Sequence, residues 1–324
     1  MSGFFKKNQQ GEQKSENGIR IIKQTRPGEC GGTDATLDEK APKVISSTKM
    51  IRFEADSALH GDYLPLSKPP VPGETVDLEY LGYFSAFAAP AKDGFFLYLE
   101  TAEGFRGGSA HRAGWAYVKD DIFPLLVALV NDCAIAKQNG YHSKTHGLPA
   151  NFGGSALILY ESGEKISFSD NQTPVFTFEA AKRIVGIFRT AMEGEKVSLP
   201  EVSALKEIRF EENRKNGGYT RAVLTLTENG GVNRKESRYD GPTVYQSEKE
   251  VSAETVAAMK ENIEKTGVFA WSGLPQNDYR FKEAKTLTFV FEDGGEIAVT
   301  DDRVVPDGIR RGFFNIELEM TTKH

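Results

Sequence analysis

The 324-residue sequence is poor in the residues from which disulfide frameworks, zinc sites and redox motifs are built. It has only two cysteines, Cys30 and Cys133. Cys30 stands in a polar, glycine-rich stretch and Cys133 lies within an apolar helical pattern, so they make a poor disulfide pair. Neither has a partner at Cys-x-x-Cys spacing, which argues against a zinc or thiol-redox role. This cysteine usage predicts a protein of a reducing compartment.

Long hydrophobic runs are also missing. The longest, from Leu125 to Val130, is far shorter than the roughly 20 residues that a membrane-spanning helix requires. The N-terminus turns polar after Phe5 and lacks the apolar core of a signal peptide. Ser2 follows Met1, so the glycine that N-myristoylation requires is absent. We therefore expect a soluble, cytoplasmic protein that does not bind membranes.

Blocks of basic residues are absent as well. The sequence has 46 acidic and 40 basic residues and a net charge of −6, with lysine and arginine spread along the chain. A nucleic-acid-binding protein usually carries a clustered basic surface, so nucleic acid is not an expected partner. The composition, 39% hydrophobic and 27% charged, is that of an ordinary globular protein, and the length suits two domains.

Residues 1–45 are predicted to form a disordered arm. Glutamine, glutamate, lysine, asparagine and glycine dominate this segment, and its main apolar patch is Ile19 to Ile22. Such a composition buries too little surface to offset the entropy lost on ordering. On this interpretation, deletion of residues 1–45 leaves thermal stability almost unchanged. The alternative is that residues 19–22 add an edge strand to a partner or to their own domain.

The body of the chain has a repeated plan. The motif Gly147-Leu148-Pro149 recurs as Gly273-Leu274-Pro275, in each case between a helical pattern and a predicted hairpin. Residues 46–54 also resemble residues 203–211. We predict an α+β fold made of two tandem copies of a strand–strand–helix–hairpin–helix unit related by pseudo-twofold symmetry, after the disordered N-terminal arm. The units are residues 46–199, with a proline-rich insertion near residues 64–73, and residues 200–324.

Four segments have the apolar spacing of amphipathic helices. They are residues 121–138, 178–192, 252–266 and 309–320. Asp121 and Ser252 are predicted N-caps, since both can accept a hydrogen bond from the first helical turn. Asn139 and Gly140 are expected to end the first helix by adopting a left-handed conformation.

Two histidines four residues apart, His142 and His146, follow directly after this expected helix end. The spacing would suit a metal site on a helix, but residues 141–146 are predicted to be a loop because Gly147 and Pro149 follow closely. His111 is the candidate for a third metal ligand. No complete metal motif is present, and we expect neither a metal nor another cofactor.

The matching position of the second copy carries aromatic residues. Phe269 and Trp271 stand where the first copy has Tyr141 and its histidines. Packing is the simpler role for these aromatics, and a ligand or partner surface is the alternative. The surface would then comprise Tyr141, His142, His146, Phe269 and Trp271.

A glycine-rich segment, residues 104–114, contains Arg106 and Arg112 beside His111. Glycines let backbone N–H groups approach an anion and arginines pair with phosphate or carboxylate, so both arginines are candidates for the ligand surface. The segment lacks the Lys-Ser/Thr of a Walker A loop and the strand-to-helix setting of a dinucleotide site. A flexible connection is the simpler interpretation.

No catalytic motif accompanies these candidates, and the sequence resembles no family of known activity. No nucleophile elbow is present, and neither cysteine stands beside an activating base. The sequence therefore favours a non-catalytic binding or protein-interaction module of a soluble, bacterial-type protein, with an unknown protein partner. Two alternatives remain open. One is a metal-dependent hydrolase using His142 and His146, and the other is a small-ligand sensor with a pocket between the two units.

Overall fold

The fold was analysed in a computed structural model that describes residues 18–25, 31–59, 77–103, 111–148, 152–239, 241–276 and 285–322. It contains two β-sheets and four α-helices within these ranges, so the predicted α+β class is confirmed. None of the described helices has the length and apolar character needed to cross a membrane. The proline-rich segment near residues 64–73 lies outside the described ranges, as do Cys30 and Arg106.

The elements are numbered in chain order. The strands are β1 Ile19–Lys23, β2 Thr33–Asp38, β3 Met50–Ala58, β4 Leu81–Ala91, β5 Gly94–Glu103, β6 Arg112–Val118, β7 Tyr141–Thr145, β8 Gly154–Tyr160, β9 Lys165–Asp170, β10 Leu205–Asn213, β11 Tyr219–Thr227, β12 Gly230–Arg238, β13 Tyr245–Ser252, β14 Lys285–Phe291 and β15 Glu296–Thr300. The α-helices are α1 Phe123–Asp132, α2 Phe178–Glu193, α3 Ala253–Thr266 and α4 Asp307–Thr321. Short 3-10 helices occupy Leu78–Tyr80, Ile135–Gln138, Val202–Ala204 and Val268–Gly273.

The chain forms two compact units. Unit 1 comprises Met1–Ala86, Glu100–Arg112 and Ile122–Ile187, and unit 2 comprises Phe87–Leu99, Ala113–Asp121 and Phe188–His324. The predicted repeat boundaries, residues 46–199 and 200–324, remain a prediction. The compact units are divided differently, because two segments from the N-terminal half contribute to the core of unit 2.

Nine strands form the larger sheet in the order β1-β2-β7-β9-β8-β3-β4-β5-β6. β3 pairs with β8 and β8 with β9 in antiparallel register, whereas β7 and β9 run parallel. β3 alternates from Arg52 onward: Phe53 and Ala55 are buried, and Arg52 and Glu54 are half-buried. Its first two residues depart from the predicted alternation, since Met50 is buried and Ile51 is 40% exposed where the pairing with β8 shifts register.

The prediction that residues 1–45 form a disordered arm is wrong for the described part of that segment. β1 pairs with β2, and β2 pairs with β7 from Thr33 opposite Thr145 to Leu37 opposite Tyr141. β1 is the outermost strand of the sheet, as the alternative interpretation of Ile19 to Ile22 proposed. This N-terminal segment is rich in polar residues because strands at the edge of a sheet bury little surface. Its order comes from backbone hydrogen bonds to neighbouring strands and not from burial of side chains.

The core of unit 1 contains an aromatic cluster. Phe176 packs edge-on against Phe84, with ring centroids 5.5 Å apart, and lies 5.7 Å from Phe168. The predicted apolar stripe of α2 is confirmed, since Ala181, Ile184 and Val185 are all buried. The hydrophobic periodicity of this helix was therefore sufficient to predict it.

The smaller sheet, in unit 2, has six strands in the order β13-β12-β11-β10-β14-β15, and every neighbouring pair is antiparallel. Helices α3 and α4 contact each other and pack on β11 and β12. Ser252 caps α3 by accepting a hydrogen bond from the backbone N–H of Thr255, as predicted, and Gly267 ends the helix in a left-handed conformation.

Several predicted elements differ from the structure. α1 begins without a side-chain cap from Asp121 and ends at Asp132, because Ala134 adopts a left-handed conformation with φ 50°. The predicted unit has two strands before its first helix, whereas β3–β6 precede α1 and β10–β13 precede α3. β12 and β13 carry polar side chains on both faces, so their sequences lack the hydrophobic alternation by which strands are recognised.

The two Gly-Leu-Pro motifs also differ. Leu274 is buried, as expected for a residue anchored in the core, but Leu148 is 50% exposed. Gly147 follows strand β7 and not a helix. Pro149 lies outside the described residues. A shared tripeptide therefore marks two different local structures.

Candidate functional site

The histidine pair lies on a strand and not in the predicted loop. β7 includes His142, and His146 directly follows its last residue. Four residues of extended chain span about 13 Å, so the i, i+4 spacing that brings ligands together on a helix separates them here. Asn139 and Gly140 do not end α1 as expected; they follow the 3-10 helix Ile135–Gln138, and only Gly140 is left-handed. The chain then pairs with β2.

Each candidate histidine has its own partner. His142 Nδ1 lies 3.0 Å from Ser169 Oγ, and His146 Nε2 lies 2.7 Å from an oxygen of Asp34. His111 Nε2 lies 2.8 Å from Oε1 of Glu100, a buried carboxylate on β5. Within the described part of the chain, no three His, Cys, Asp or Glu side chains lie close enough together to hold a metal ion.

His142 lines a cleft of about 370 Å³ in unit 1, together with Thr36 and Lys165. Asn139 forms the floor of the cleft, and both polar atoms of its side chain are hydrogen-bonded. The Asn139 amide nitrogen donates to the backbone oxygens of Pro42 and Lys165, and its amide oxygen accepts from the N–H of Ser167. A buried asparagine with every polar atom satisfied fixes three segments against one another, so the cleft is preformed.

Burial lowers the pKa of His142, and the charge of Lys165 lowers it further. Its imidazole is therefore neutral at pH 7 and can accept or donate a hydrogen bond at either nitrogen. Ser169 engages Nδ1. The cleft, whose lining also includes Asp38 and Glu164, can thus hold a small polar ligand.

The glycine-rich segment is only partly a loop. Residues 104–110 lie outside the described ranges, but Arg112 begins strand β6, which continues to Val118. The Arg112 guanidinium donates to the backbone oxygen of His111. Trp115 and Tyr117 favour extended structure, and their propensity outweighs that of Gly114. The prediction of a loop over residues 104–114 is therefore wrong for residues 112–114, which belong to β6.

Phe269 and Trp271 do not form a surface. They are 4% and 1% exposed and lie in the core of unit 2, where Phe269 packs edge-on against Phe289 and Phe291. The indole N–H of Trp271 donates to the backbone oxygen of Thr266. Their candidacy as partner-surface residues is corrected, because a satisfied, buried indole is a packing group.

The six-stranded sheet has an exposed face that carries polar and charged side chains. Inward residues on β11, such as Ala222 and Leu224, are fully buried, whereas outward Arg221 is exposed and outward Val223 is half-buried. The outward row continues from Val223 to Arg234 on β12 and Glu248 on β13. An antiparallel sheet covered by helices on one side leaves such a face free on the other. It forms a shallow depression of about 580 Å³.

One end of the sheet carries tyrosines and arginines on both of its faces. Tyr219, Arg221 and Arg238 share the outward face. Arg214, Tyr239 and Tyr245 contact one another on the opposite face, since Tyr245 pairs with inward-facing Ser237. We call the following six residues the Tyr–Arg cluster: Arg214, Tyr219, Arg221, Arg238, Tyr239 and Tyr245.

The rings of the Tyr–Arg cluster are covered by guanidinium groups. Arg221 and Arg238 lie 5.1 and 5.3 Å from the ring centroid of Tyr219. Arg214 lies 5.2 Å from the ring of Tyr239, which is 6.0 Å from the ring of Tyr245. These distances are those of cation–π and aromatic pairs, which hold the side chains in defined positions before any partner binds.

Hydrogen bonds also hold side chains of the Tyr–Arg cluster in place. Arg214 donates to Thr220 Oγ1 at 2.9 Å and pairs with Glu212. The Tyr219 hydroxyl donates to Glu236, which raises the pKa of Tyr219 and lowers the pKa of Glu236. Both groups therefore keep their ordinary charge states at neutral pH, a neutral phenol and an ionised carboxylate.

β13 forms the edge of the sheet beside this cluster. It pairs with β12 without a bulge from Tyr245 opposite Ser237 to Ser252 opposite Gly230. Its residues from Tyr245 to Glu248 are all exposed, and Tyr239 and Tyr245 are 44% and 51% exposed. The exposed Tyr239 and Tyr245 therefore lie beside the free edge, with Arg238 and Tyr219 at the same end of the sheet but on its other face.

The sequence reasoning missed every residue of this surface. Its members come from the β10–β11 turn and from β11, β12 and β13, so no single motif contains them. The available indication was the alternation Tyr219-Thr220-Arg221, which places a tyrosine and an arginine on one face of a strand. Arg238-Tyr239 and Tyr245 could be joined to it only once the register was known.

No protein-family model matches the sequence, and no curated protein matches it either. The function has to be inferred from the side chains of these sites.

Proposed function

We propose that the protein is a non-catalytic interaction module, and that it binds a protein partner through the Tyr–Arg cluster and the adjoining face of β11–β13. The observation that carries this proposal is the exposed pair Tyr239 and Tyr245, whose rings contact each other while Arg214 lies over Tyr239. Arg221 and Arg238 flank Tyr219 at the same end of the sheet. Tyrosine and arginine dominate the residues that contribute most to protein–protein binding energy.

The physical reason is low entropic cost. A side chain that is already fixed by cation–π contacts loses little freedom when a partner covers it, so more of the burial energy appears as affinity. Tyr239 and Tyr245 each offer a large apolar ring with a polar tip. Arg238 donates only to the backbone oxygen of Gly217 among the hydrogen bonds of the described residues, so its charge is not neutralised by an acid there.

The test compares binding partners of matched variants. Wild-type protein is immobilised beside a variant in which Arg238, Tyr239 and Tyr245 are changed to alanine, and each is exposed to an extract of the source organism. A partner retained by wild type is then purified and its affinity measured by calorimetry. We expect the triple variant to bind at least about 30-fold more weakly, since one hot-spot residue contributes about 2 kcal/mol.

A control variant removes the same kind of surface elsewhere. Phe314 and Leu318 on α4 are 57% and 47% exposed, and changing both to alanine deletes apolar area far along the sequence from the Tyr–Arg cluster. The partner should bind this control as well as wild type. Equal affinity for the triple variant and the control would contradict the proposal.

We also infer that the two halves of the chain are copies of one unit. Support comes from connectivity: β9-β8-β3-β4-β5-β6 and β15-β14-β10-β11-β12-β13 have the same strand order. In each, a helix follows the fourth strand of the meander and a second helix follows the hairpin. The repeat is then strand–strand–strand–strand–helix–hairpin–helix. Chance recurrence of a whole element order is less probable than recurrence of a short motif.

A cytoplasmic location fits this proposal. Cys133 is a free, half-buried thiol, and its sulfur lies 3.5 Å from a guanidinium nitrogen of Arg183. A reducing compartment keeps such a thiol from oxidising.

A second candidate function is the binding of a small polar ligand in the unit 1 cleft. Its preformed floor around Asn139 and the neutral imidazole of His142 favour it. Thermal-shift measurements with a metabolite panel test this candidate. A ligand that raises the melting temperature of wild type, but not of a His142→Ala variant, would support it.

A further inference from the structure

We propose that the partner adds a strand to the free edge of β13, in antiparallel direction, and that it carries basic residues near its N-terminal end and acidic residues near its C-terminal end. This inference rests on the proposed binding function and specifies the chemistry of the partner. It follows from three features of the edge: its regular backbone, its exposed side chains and the separation of charge along it.

The backbone of β13 is ready to pair. Eight consecutive residues, from Tyr245 to Ser252, follow one register with β12, and β13 is the last strand of the sheet. A regular outer strand presents alternate N–H and C=O groups at strand spacing, which is the template for strand addition. All strand pairs in this sheet are antiparallel, so an added strand continues the pattern when it runs opposite to β13.

The outward side chains of β13 make one end of the edge acidic. Glu248 and Glu250 face outward with Gln246, and both glutamates are exposed. Glu248 pairs with Arg234 at 2.7 Å, but both side chains are more than 60% exposed, so water screens the pair and a second cation can join it. A partner strand with lysine or arginine opposite Glu248 and Glu250 gains cross-strand ion pairs.

The opposite end of the edge is basic. Tyr245 begins β13 beside Tyr239 and Arg214, and Arg238 lies at the same end on the other face of the sheet, because Tyr245 pairs with Ser237. Arg238 and Arg221 flank one ring, at 5.3 and 5.1 Å. Acidic side chains that extend past Tyr245 would meet these guanidinium groups, which bind carboxylates through paired hydrogen bonds.

A second copy of the chain fits this edge poorly. Antiparallel self-pairing centred on Glu248 places that carboxylate opposite its own copy. Centring the pair on Lys249 places the two lysines opposite each other and Glu248 opposite Glu250. Like charges directly across a strand pair are destabilising, so both registers that use most of the strand are disfavoured.

The test uses two fluorescent peptides of eight residues with identical composition. The matched peptide has lysines at positions two and four and glutamates at positions seven and eight, with valine and threonine elsewhere. The reversed peptide exchanges the lysines and glutamates. We expect full-length protein to bind the matched peptide at least about tenfold more tightly in an anisotropy titration. Equal binding of the two peptides, or failure to bind the matched one, would overturn the proposal.

A charge swap checks the position of the peptide. In the variant Glu248→Lys with Glu250→Lys the preference for the matched peptide should be lost, because its lysines then face lysines while the arginine end of the edge is unchanged. The control Glu254→Lys with Glu261→Lys makes the same charge change on α3 and should leave the preference unchanged. An unchanged preference in the β13 variant would overturn the proposal, as would an altered one in the control.

Backbone methylation separates strand addition from simple charge attraction. Only alternate amides of an added strand point toward the edge. Methylation of the amides at even positions and at odd positions should therefore give one peptide that loses binding and one that keeps it. Retention or loss in both would overturn strand addition.

Failure of this inference is distinguishable from failure of the proposed function. If the peptides fail while a purified partner still requires the Tyr–Arg cluster, strand addition is wrong and the interaction module stands. If the matched peptide binds while no partner requires that cluster, the edge functions without the proposed hot spot. A concentration-dependent dimer that the Glu248 and Glu250 changes abolish would assign the edge to a second copy and overturn the inference.

Discussion

Gly140 holds the floor of the unit 1 cleft in a conformation that other residues adopt only with strain. Its φ is +83°, and a Cβ atom at this position would lie 2.7 Å from both the Ala41 Cβ and the Asp38 backbone oxygen. The residue therefore meets two requirements at once, a left-handed backbone and a close approach to the turn after β2. Its neighbour Asn139 supplies the hydrogen bonds that hold this arrangement.

A Gly140→Ala variant should be less stable by about 1–3 kcal/mol, because a strained φ and a steric overlap add. Chemical denaturation measures the loss. Gly163→Ala is the matched control: its φ is +85°, but a Cβ there meets nothing within 4 Å. The control should lose less, and equal losses would show that the contact with the turn has no energetic weight.

His142 should make stability depend on pH. Burial lowers its pKa in the folded state, so between the unfolded value of about 6.5 and the lower folded value only the unfolded chain binds the proton. Stability therefore falls as the pH drops below about 6.5 and levels off once the folded histidine protonates. Lys165, Lys40, Asp38 and Glu164 also line this cleft.

Denaturation at pH 7.5 and 5.5, values on either side of about 6.5, checks this expectation. Wild type should lose more stability over this interval than a His142→Asn variant, in which the titrating group is absent while the other histidines remain. An NMR titration gives the pKa directly. A His142 pKa at or above that of an unfolded histidine would contradict the expectation.

Helix α3 shows how one local rule fixes the start of an element. Ser252 accepts the N–H of Thr255, and Glu254 stands in the first turn, where the helix dipole favours a negative charge. Ser252→Ala should cost about 1 kcal/mol, the usual loss for an N-cap. Urea denaturation measures it against Ser247→Ala, a change on the exposed part of β13. If both changes cost the same, the cap contributes nothing.

The helices and strands differ in how well they can be predicted from their sequences. α2, α3 and α4 were predicted within a few residues, since an apolar stripe at helical spacing is visible in any sequence. β3 and β10 were visible for the same reason at strand spacing. β7 was not, because its exposed polar residues resemble a loop until β2 and β9 are known to flank it.

The order of the N-terminal region is a property of the whole of unit 1. β2 lies between β1 and β7, so its backbone groups are paired on both sides. A chain that begins at residue 46 would expose the edge of β7 and should lose at least about 4 °C in melting temperature, reversing the expectation from composition. Differential scanning calorimetry measures this loss.

A point change tests the same pairing in the full-length chain. Thr36→Pro removes a donor in the middle of β2, whereas Val44→Pro alters a residue that is 80% exposed and outside any strand. Only the first should lower the melting temperature. If truncation and Thr36→Pro both leave it unchanged, the pairing of β1 and β2 does not contribute to the stability of unit 1.

The sequence by itself determined the α+β class, the helices with apolar stripes, the strands with clear alternation and the cap at Ser252. These features depend on residues only a few positions apart, so the sequence shows them directly. Tertiary structure decided whether a polar segment such as β2, β12 or β13 is ordered, because that order comes from backbone pairing with other strands. It also decided that Trp271 is buried and that Tyr219, Arg238 and Tyr245 meet at one end of the sheet. Burial and proximity depend on register and packing between distant segments, and no local pattern specifies either.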